Sequence, residues 1–368
     1  MLKKISILVL VGAAAACGGP AADEFARSAP SFDSVSMDMN DSDSVATSER
    51  APVLVSTEEN LDSDPCHPHL FSRTREIVRA TNGGLFKLLG RVDELVRIGP
   101  HKRERGTHEW IKVKDGFTWK YEMIKTADHA FTATLQVKKE ADPDTAYVTV
   151  YSAESTRTPA EHDGSGSATL DMTALHSVVT SEPVSGKLAM SFTLSAAAKT
   201  VIFTMTGYQN GAADVRNGKY VFLREHGKGG SLKFTENLPL SCTGPGGSAT
   251  GTTPIDLVSR WIETSAGVHY RADALATGGQ VAAGSKWEGV TCAEGARHEE
   301  GHEGYWQMKL EDAGGATVSG SSHQNTAATA AACDPAFGPV PKVDGSASDY
   351  DFAAIDFTSD AAVAFPGR

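Results

Sequence analysis

The sequence predicts an α+β fold, mainly β: one long N-terminal helix packed on a curved antiparallel β-meander, held by disulfides. Three observations predict it. An apolar stripe at heptad spacing follows Cys66, the hydrophobic period changes to two from residue 108, and four cysteines remain for pairing once Cys17 is set aside. The chain has 368 residues, 40% of them hydrophobic and 22% charged, enough for a substantial core and too polar for a polytopic helical membrane protein.

The helix comes first. Phe71, Val78, Leu85 and Val92 lie seven apart, with Leu88, Leu89, Leu95 and Val96 filling the same side. Asn82-Gly83-Gly84 is a sequence that normally ends a helix, but the stripe keeps its phase across it, so one helix is expected over residues 70–98, with room for a kink. Its two glycines cost about 2 kcal/mol relative to alanine. Arg73, Arg75, Arg79, Lys87, Arg91 and Arg97 lie off the stripe and read as a solvated face.

Strand patterns follow. Phe117, Trp119, Tyr121 and Met123 alternate with polar residues, as do Phe131, Ala133, Leu135 and Val137. Similar alternation runs through residues 147–151, 188–194, 201–205, 220–223, 232–234 and 306–310. Short Gly-rich breaks such as 225–230 separate several of them, which implies hairpins and an antiparallel order. Leu170 to Leu175 reads as a short helical turn, and Gly244 to Pro254 as a possible internal linker. Aromatic residues make up 7% of the chain and the outward strand positions are Lys, Glu and Thr, which argues against a transmembrane barrel.

The N-terminus sets the expected compartment. Lys3 and Lys4 precede a short apolar run ending in Ala14-Ala15-Ala16-Cys17, so residues 1–16 read as a lipoprotein signal peptide and Cys17 as the acylated residue. Such a run makes only about 18 Å of helix, too short to span a bilayer. Gly18 rather than Asp follows the cysteine, which by likeness to the enterobacterial sorting rule favours the outer membrane. Residues 17–65 read as an acidic disordered tether, since residues 18–65 hold 11 acidic and 2 basic residues with few aromatics. Residues 66–368 then form the folded part. The net charge of −12 gives no basic surface for nucleic acid.

In an oxidising envelope, Cys66, Cys242, Cys292 and Cys333 are expected to form two disulfides, with Cys66–Cys242 and Cys292–Cys333 preferred among three pairings. Cys66-His67-Pro68-His69 also places three metal-capable groups in four residues, but no second paired element accompanies it. His298-Glu299-Glu300-Gly301-His302 matches HExxH, in which a helix puts two imidazoles on one face for zinc while the glutamate activates water. Gly295, Gly301 and Gly304 surround it and a strand pattern follows at once, so His298, Glu299 and His302 are weak metal candidates in a hairpin loop. Asp163-Gly164-Ser165-Gly166-Ser167 has the wrong order for a nucleophile elbow, and Gly227-Lys228-Gly229-Gly230-Ser231 the wrong spacing for a phosphate loop. Glu154, Glu161, His162 and Asp163 form a polar cluster with no fixed geometry. No catalytic residue and no cofactor is assigned.

Several phrases together carry a resemblance: His67-Pro68-His69-Leu70-Phe71 with Arg73-Thr74, Gly227 to Phe234, Ser259-Arg260-Trp261, and Arg271-Ala272-Asp273 with Gly278-Gly279. Gly164-Ser165-Gly166 with Leu170-Asp171, Gly289-Val290-Thr291-Cys292, Cys333-Asp334-Pro335 and Phe365-Pro366-Gly367 extend it. Over about residues 66–368 the chain resembles a group of uncharacterised envelope lipoproteins from myxobacterial-type bacteria. That resemblance implies an envelope location and carries no activity or catalytic residue. The expected partners are the membrane, through acylated Cys17, and a lipid or other envelope component bound by the folded part. A helix laid on a curved sheet encloses apolar space, so binding of a hydrophobic ligand is the leading expectation. A zinc-dependent hydrolase using the HEEGH stretch and a structural or adhesive module are the alternatives.

Overall fold

The computed structural model describes residues 25, 36–37, 64, 66–97, 99–157, 163–211, 215–240, 242–263, 268–295, 302–324 and 351–363. Helix α1 (Leu70–Arg97) opens the ordered part. It leads into β1 (Lys102–Glu104), β2 (Thr107–Lys114), β3 (Phe117–Ala127), β4 (Ala130–Lys139), β5 (Val148–Arg157) and β6 (Gly164–Asp171). After helix α2 (Met172–Val178) come β7 (Val184–Leu194), β8 (Ala198–Asn210), β9 (Arg216–Glu225) and β10 (Gly229–Leu238). The last strands are β11 (Thr253–Glu263), β12 (Val268–Thr277), β13 (Lys286–Gly295), β14 (His302–Glu311) and β15 (Thr317–Gln324).

All fifteen strands join one sheet in sequence order, each pairing antiparallel with the next. Local chemistry makes the hairpins. Asp115-Gly116 joins β2 to β3 with both residues at positive φ, 55° and 79°, the tight two-residue turn whose twist matches that of its strands. Asp171 ends β6 and caps α2, its Oδ1 accepting the Ala174 N–H at 2.9 Å.

This topology corrects the α+β expectation of a long helix laid as a layer over the meander. The architecture is nearly all antiparallel sheet, with helix amounting to 12% of the chain. The strands bury their inner faces chiefly among themselves, so the sheet needs no helical layer to cover it. The principal contacts of α1 are with β12 and β13 and with β2. Because β2 lies near one end of the strand order and β12 and β13 near the other, the sheet curls to bring both to one helix.

The inner face carries the core. A row of directly opposed inward residues runs from His108 on β2 to Met308 on β14 by way of Met190, Tyr220, Phe234 and Leu257. All six are buried. Thr74 of α1 fastens the helix to this face: its hydroxyl lies 2.7 Å from Ser259 Oγ and 2.8 Å from Tyr270 Oη, and it donates to Leu70 O at 2.7 Å. The disulfide Cys66–Cys242, with Cα atoms 5.1 Å apart, ties the entry to α1 to the loop after β10. Cys292 on β13 is disulfide-bonded as well, to a cysteine outside the described residues.

Two further readings change. Within the acidic tract expected to act as a disordered tether, Phe25, Ser36 and Met37 are buried. The Phe25 ring stacks on His108 at 3.9 Å and meets Phe131 edge-on at 5.3 Å. Lys199 Nζ donates to Ser36 Oγ at 3.0 Å, and Asn82 of α1 exchanges two hydrogen bonds with the Met37 backbone. At these positions the tract is part of the core. The Gly244 to Pro254 stretch, in turn, joins paired strands, since β10 and β11 run opposed from Gly229 and Ile262 to Leu238 and Thr253. Gln280 pins this loop, accepting from Leu240 N at 2.7 Å and donating to Leu240 O and Ser248 O. It therefore connects neighbours in one sheet rather than two domains.

Replacing Phe25 by Ala removes a buried ring from between His108 and Phe131. Chemical denaturation of Phe25→Ala should show a loss of about 3 kcal/mol; an unchanged midpoint would mean that residue 25 contributes nothing to the core.

Candidate functional site

On the inner face a cleft lies where α1 meets the sheet. Leu70, Leu238, Leu240, Ile255, Leu257 and Trp287 form its apolar walls, and Cys66, His67, Pro68, Arg73 and Cys242 border it, enclosing about 380 Å³ with its opening. Its position follows from the local fold. The disulfide holds the entry to α1 against the end of β10, and the register of β10 on β11 and β11 on β12 places Leu257 next to the helix's first turns. In its present state the cleft is narrow, with room inside for about a single water. His67 closes one side: its ring stacks on His69 at 3.7 Å and on Trp306 at 4.5 Å.

Charged groups on the same face sit in separate clusters. Glu236 is buried, accepts a 2.6 Å hydrogen bond from Tyr220 Oη and faces Arg216 at 3.4 Å. Burial pushes its carboxyl above the usual carboxylate range, against the lowering effect of Tyr220 and Arg216, and pushes the Tyr220 phenol well up. Arg224 and Glu263 pair at 3.4 Å beneath almost complete burial. Where α1 passes β2, Glu94 accepts from Lys112 Nζ at 2.6 Å and from Lys114 Nζ at 3.1 Å. Those hydrogen bonds, that from Lys112 first, hold the Glu94 carboxyl down at about 2.

The opposite face of β11 and β12 carries a second buried polar cluster. Asp273 accepts two hydrogen bonds from Arg271, at 2.9 and 2.8 Å, and one from Arg260 at 3.1 Å. All three side chains are out of solvent. Residues 351–363 lie over the neighbouring β9 and β10, where Lys233 Nζ donates to the carbonyls of Asp356 and Ala361 and Lys219 Nζ to Thr358 O. The cluster joins neighbouring strands β11 and β12.

The expected site residues have separate fates. Cys17, His298, Glu299 and Cys333 lie outside the described residues. His302 opens strand β14 and pairs across the sheet with Glu294, so the end of the HEEGH stretch is extended chain. Two imidazoles on one helical face, as zinc binding by HExxH requires, need helix at that residue. Among the described residues, Asp64, Cys66 and His323 bring three metal-capable atoms together. Cys66 is spent in the disulfide, so its sulfur is no thiolate, and His323 Nδ1 lies within hydrogen-bond distance of Asp64 Oδ2 at 3.3 Å. Glu161 and His162 of the polar cluster also lie outside the described residues.

The cleft residues themselves drew no attention as a site in the sequence. Leu238, Leu240 and Ile255 flank the stretch that reads as a linker, and only the pairing of β10 with β11 brings them opposite α1. Comparison with protein-family models, with curated proteins and with solved structures gives no match for this chain. Among the described residues no helix is long and apolar enough to cross a membrane.

The Glu94 cluster generates a pH test. A carboxyl held down in the folded state stabilises the protein above its unfolded value near 4, and that stabilisation is lost as pH falls from about 4 to about 2. Replacing both Lys112 and Lys114 by Met should lower Tm by roughly 2 °C at pH 7, given the partial exposure of all three groups. The difference should close by pH 2. A difference that persists at pH 2 would show that the lysines act through packing and not through Glu94.

Proposed function

We propose that this chain is a lipid-anchored protein of the bacterial envelope whose curled sheet binds a hydrophobic ligand. The observation that carries the binding half is the cleft between the first turns of α1 and strands β10, β11 and β13, where six apolar side chains converge beside Arg73. Three structural features support it. The walls are apolar on both the helix and the sheet side, the disulfide fixes one edge, and Glu236 with Arg216, Arg224 with Glu263, and Glu94 with Lys112 are paired away from it. The anchoring half rests on the sequence alone, on the apolar run that ends at Cys17. The family resemblance and the outer membrane as destination belong to the same proposal.

Two experiments test it. Replacing Cys17 by Ala should move the protein from the membrane pellet into the soluble fraction, and persistence in the pellet would remove the acylation. For the cleft, native mass spectrometry of the full-length protein, purified in mild detergent, should show a noncovalent apolar adduct. Leu238→Trp, which fills the half-buried edge of the cleft, should abolish that adduct while leaving the fold intact by circular dichroism. Wild-type protein that carries no adduct and takes up no added acyl-chain probe would overturn the binding function.

A further inference from the structure

A second feature of the inner face, on strands β2 to β6, concerns the kind of ligand. Met123, Ala133, Ala153, Ala168 and Met190 are directly opposed in one row. Three adjacent alanines between two methionines leave a trough, and a narrow cavity of about 300 Å³ with its opening, with room inside for less than one water, lies over it, lined also by Tyr151, Phe192, Glu154, Ser155 and Ser167. Phe192 lies flat across its end because its partner in the register is Gly166. A β-carbon there would sit 2.7 Å from the Phe192 ring.

Beside the trough stand polar atoms that the protein leaves without partners. Tyr151 lines the cavity, and its hydroxyl is buried and meets no hydrogen-bond partner among the described residues. The same holds for the Tyr121 hydroxyl, the Trp110 indole N–H and His108 Nδ1. Trp110, Tyr121 and Tyr151 belong to one row of the register, with Leu135 between the two tyrosines. Trp110 lies 5.4 Å from Tyr121 and 5.8 Å from His108, ring centroid to centroid. Buried polar groups with nothing to bond are costly, and four of them on β2, β3 and β5 beside an apolar trough have the form of a polar head site.

The charge of that head can be argued too. Lys112 and Lys114, the cations further along β2, are held by Glu94. Burial and the neighbouring Arg103 both favour neutral His108. The described residues that line the cavity include Glu154 and no Lys or Arg, so a buried carboxylate would carry a heavy desolvation cost. Hydroxyl and indole donors suit an uncharged acceptor.

We propose that Trp110, Tyr121 and Tyr151 form the head-group site for the ester carbonyl of an acyl-chain amphiphile, whose tail lies along the Ala133–Ala153–Ala168 trough. The proposal rests on the reading of the sheet as a hydrophobic-ligand binder and names the ligand class. The site is distinct from the cleft at α1, with which it shares no lining residue.

The test uses the delipidated full-length protein with 1-monooleoylglycerol and sodium oleate as probes, by isothermal titration at pH 7.5. The wild type should bind the ester at least tenfold more tightly than oleate. Combined Tyr121→Phe and Tyr151→Phe should weaken ester binding about tenfold and, by removing two unbonded buried hydroxyls, raise the Tm of the unliganded protein by about 2–4 °C. A merely structural role for the tyrosines predicts a fall in Tm. The ester site is overturned if the double Phe variant binds the ester as the wild type does, if oleate is preferred, or if the unliganded Tm falls. Ester binding that Leu238→Trp abolishes and the double Phe variant leaves intact removes this site while the binding function stands. A wild type that takes up neither probe removes both.

Discussion

Neighbour-to-neighbour register through fifteen strands is the constraint on which everything else in this protein depends. Side chains alternate between faces with a period of two, so a slip of one residue anywhere would turn a whole strand's apolar set outward. The row from His108 to Met308 therefore exists only if each successive pairing is correct. Two devices hold the helix to this sheet. The Cys66–Cys242 disulfide spans 176 residues of sequence and ties the entry of α1 to the loop after β10. Thr74, Ser259 and Tyr270 then bind the first turns of α1 to β11 and β12 in a closed set of hydroxyl contacts.

Some buried polar groups on the inner face are bonded to one another and others meet no partner among the described residues. Near α1 and β8 to β12 the buried polar side chains find each other: Thr74 with Ser259 and Tyr270, Tyr220 with Glu236, Arg224 with Glu263, Lys199 with Ser36. The Trp110, Tyr121 and Tyr151 donors on β2, β3 and β5 meet no partner among the described residues, nor does Trp261 Nε1 on β11. The first group holds the structure together, since breaking a buried pair strands a charge or a donor. The Arg260–Asp273–Arg271 cluster shows the same economy on the opposite face, where one carboxylate receives three hydrogen bonds from two guanidiniums.

Strands with one wet face were legible in the sequence because water imposes alternation on them. Phe117 to Met123 and Phe131 to Val137 announce β3 and β4, and both form there. Strands β11 and β12 were not legible. Nearly every residue from Leu257 to Glu263 and from Tyr270 to Ala274 is buried, so apolar and charged residues both point inward to protein and the two-residue period vanishes. Arg260, Arg271 and Asp273 look like surface residues until the register sets them opposite one another. Phe25 and Met37 were hidden by the composition around them, since acidic, Ser-rich sequence signals exposure and two isolated apolar residues do not outweigh it.

By itself the sequence determined the apolar periods, the hairpin turns and the cap of α2, and four cysteines able to pair, because these depend on neighbours within a few residues. The tertiary structure decided the class, one continuous sheet in place of a helix over a meander, because whether a strand's second face meets water or protein depends on residues far away in the chain. It also decided the sites. The cleft at α1 needs residues 66–73 beside residues 238–257, and the unbonded donors acquire meaning only once Trp110, Tyr121 and Tyr151 share a row. Long-range register brings such residues together, and local chemistry holds no record of it.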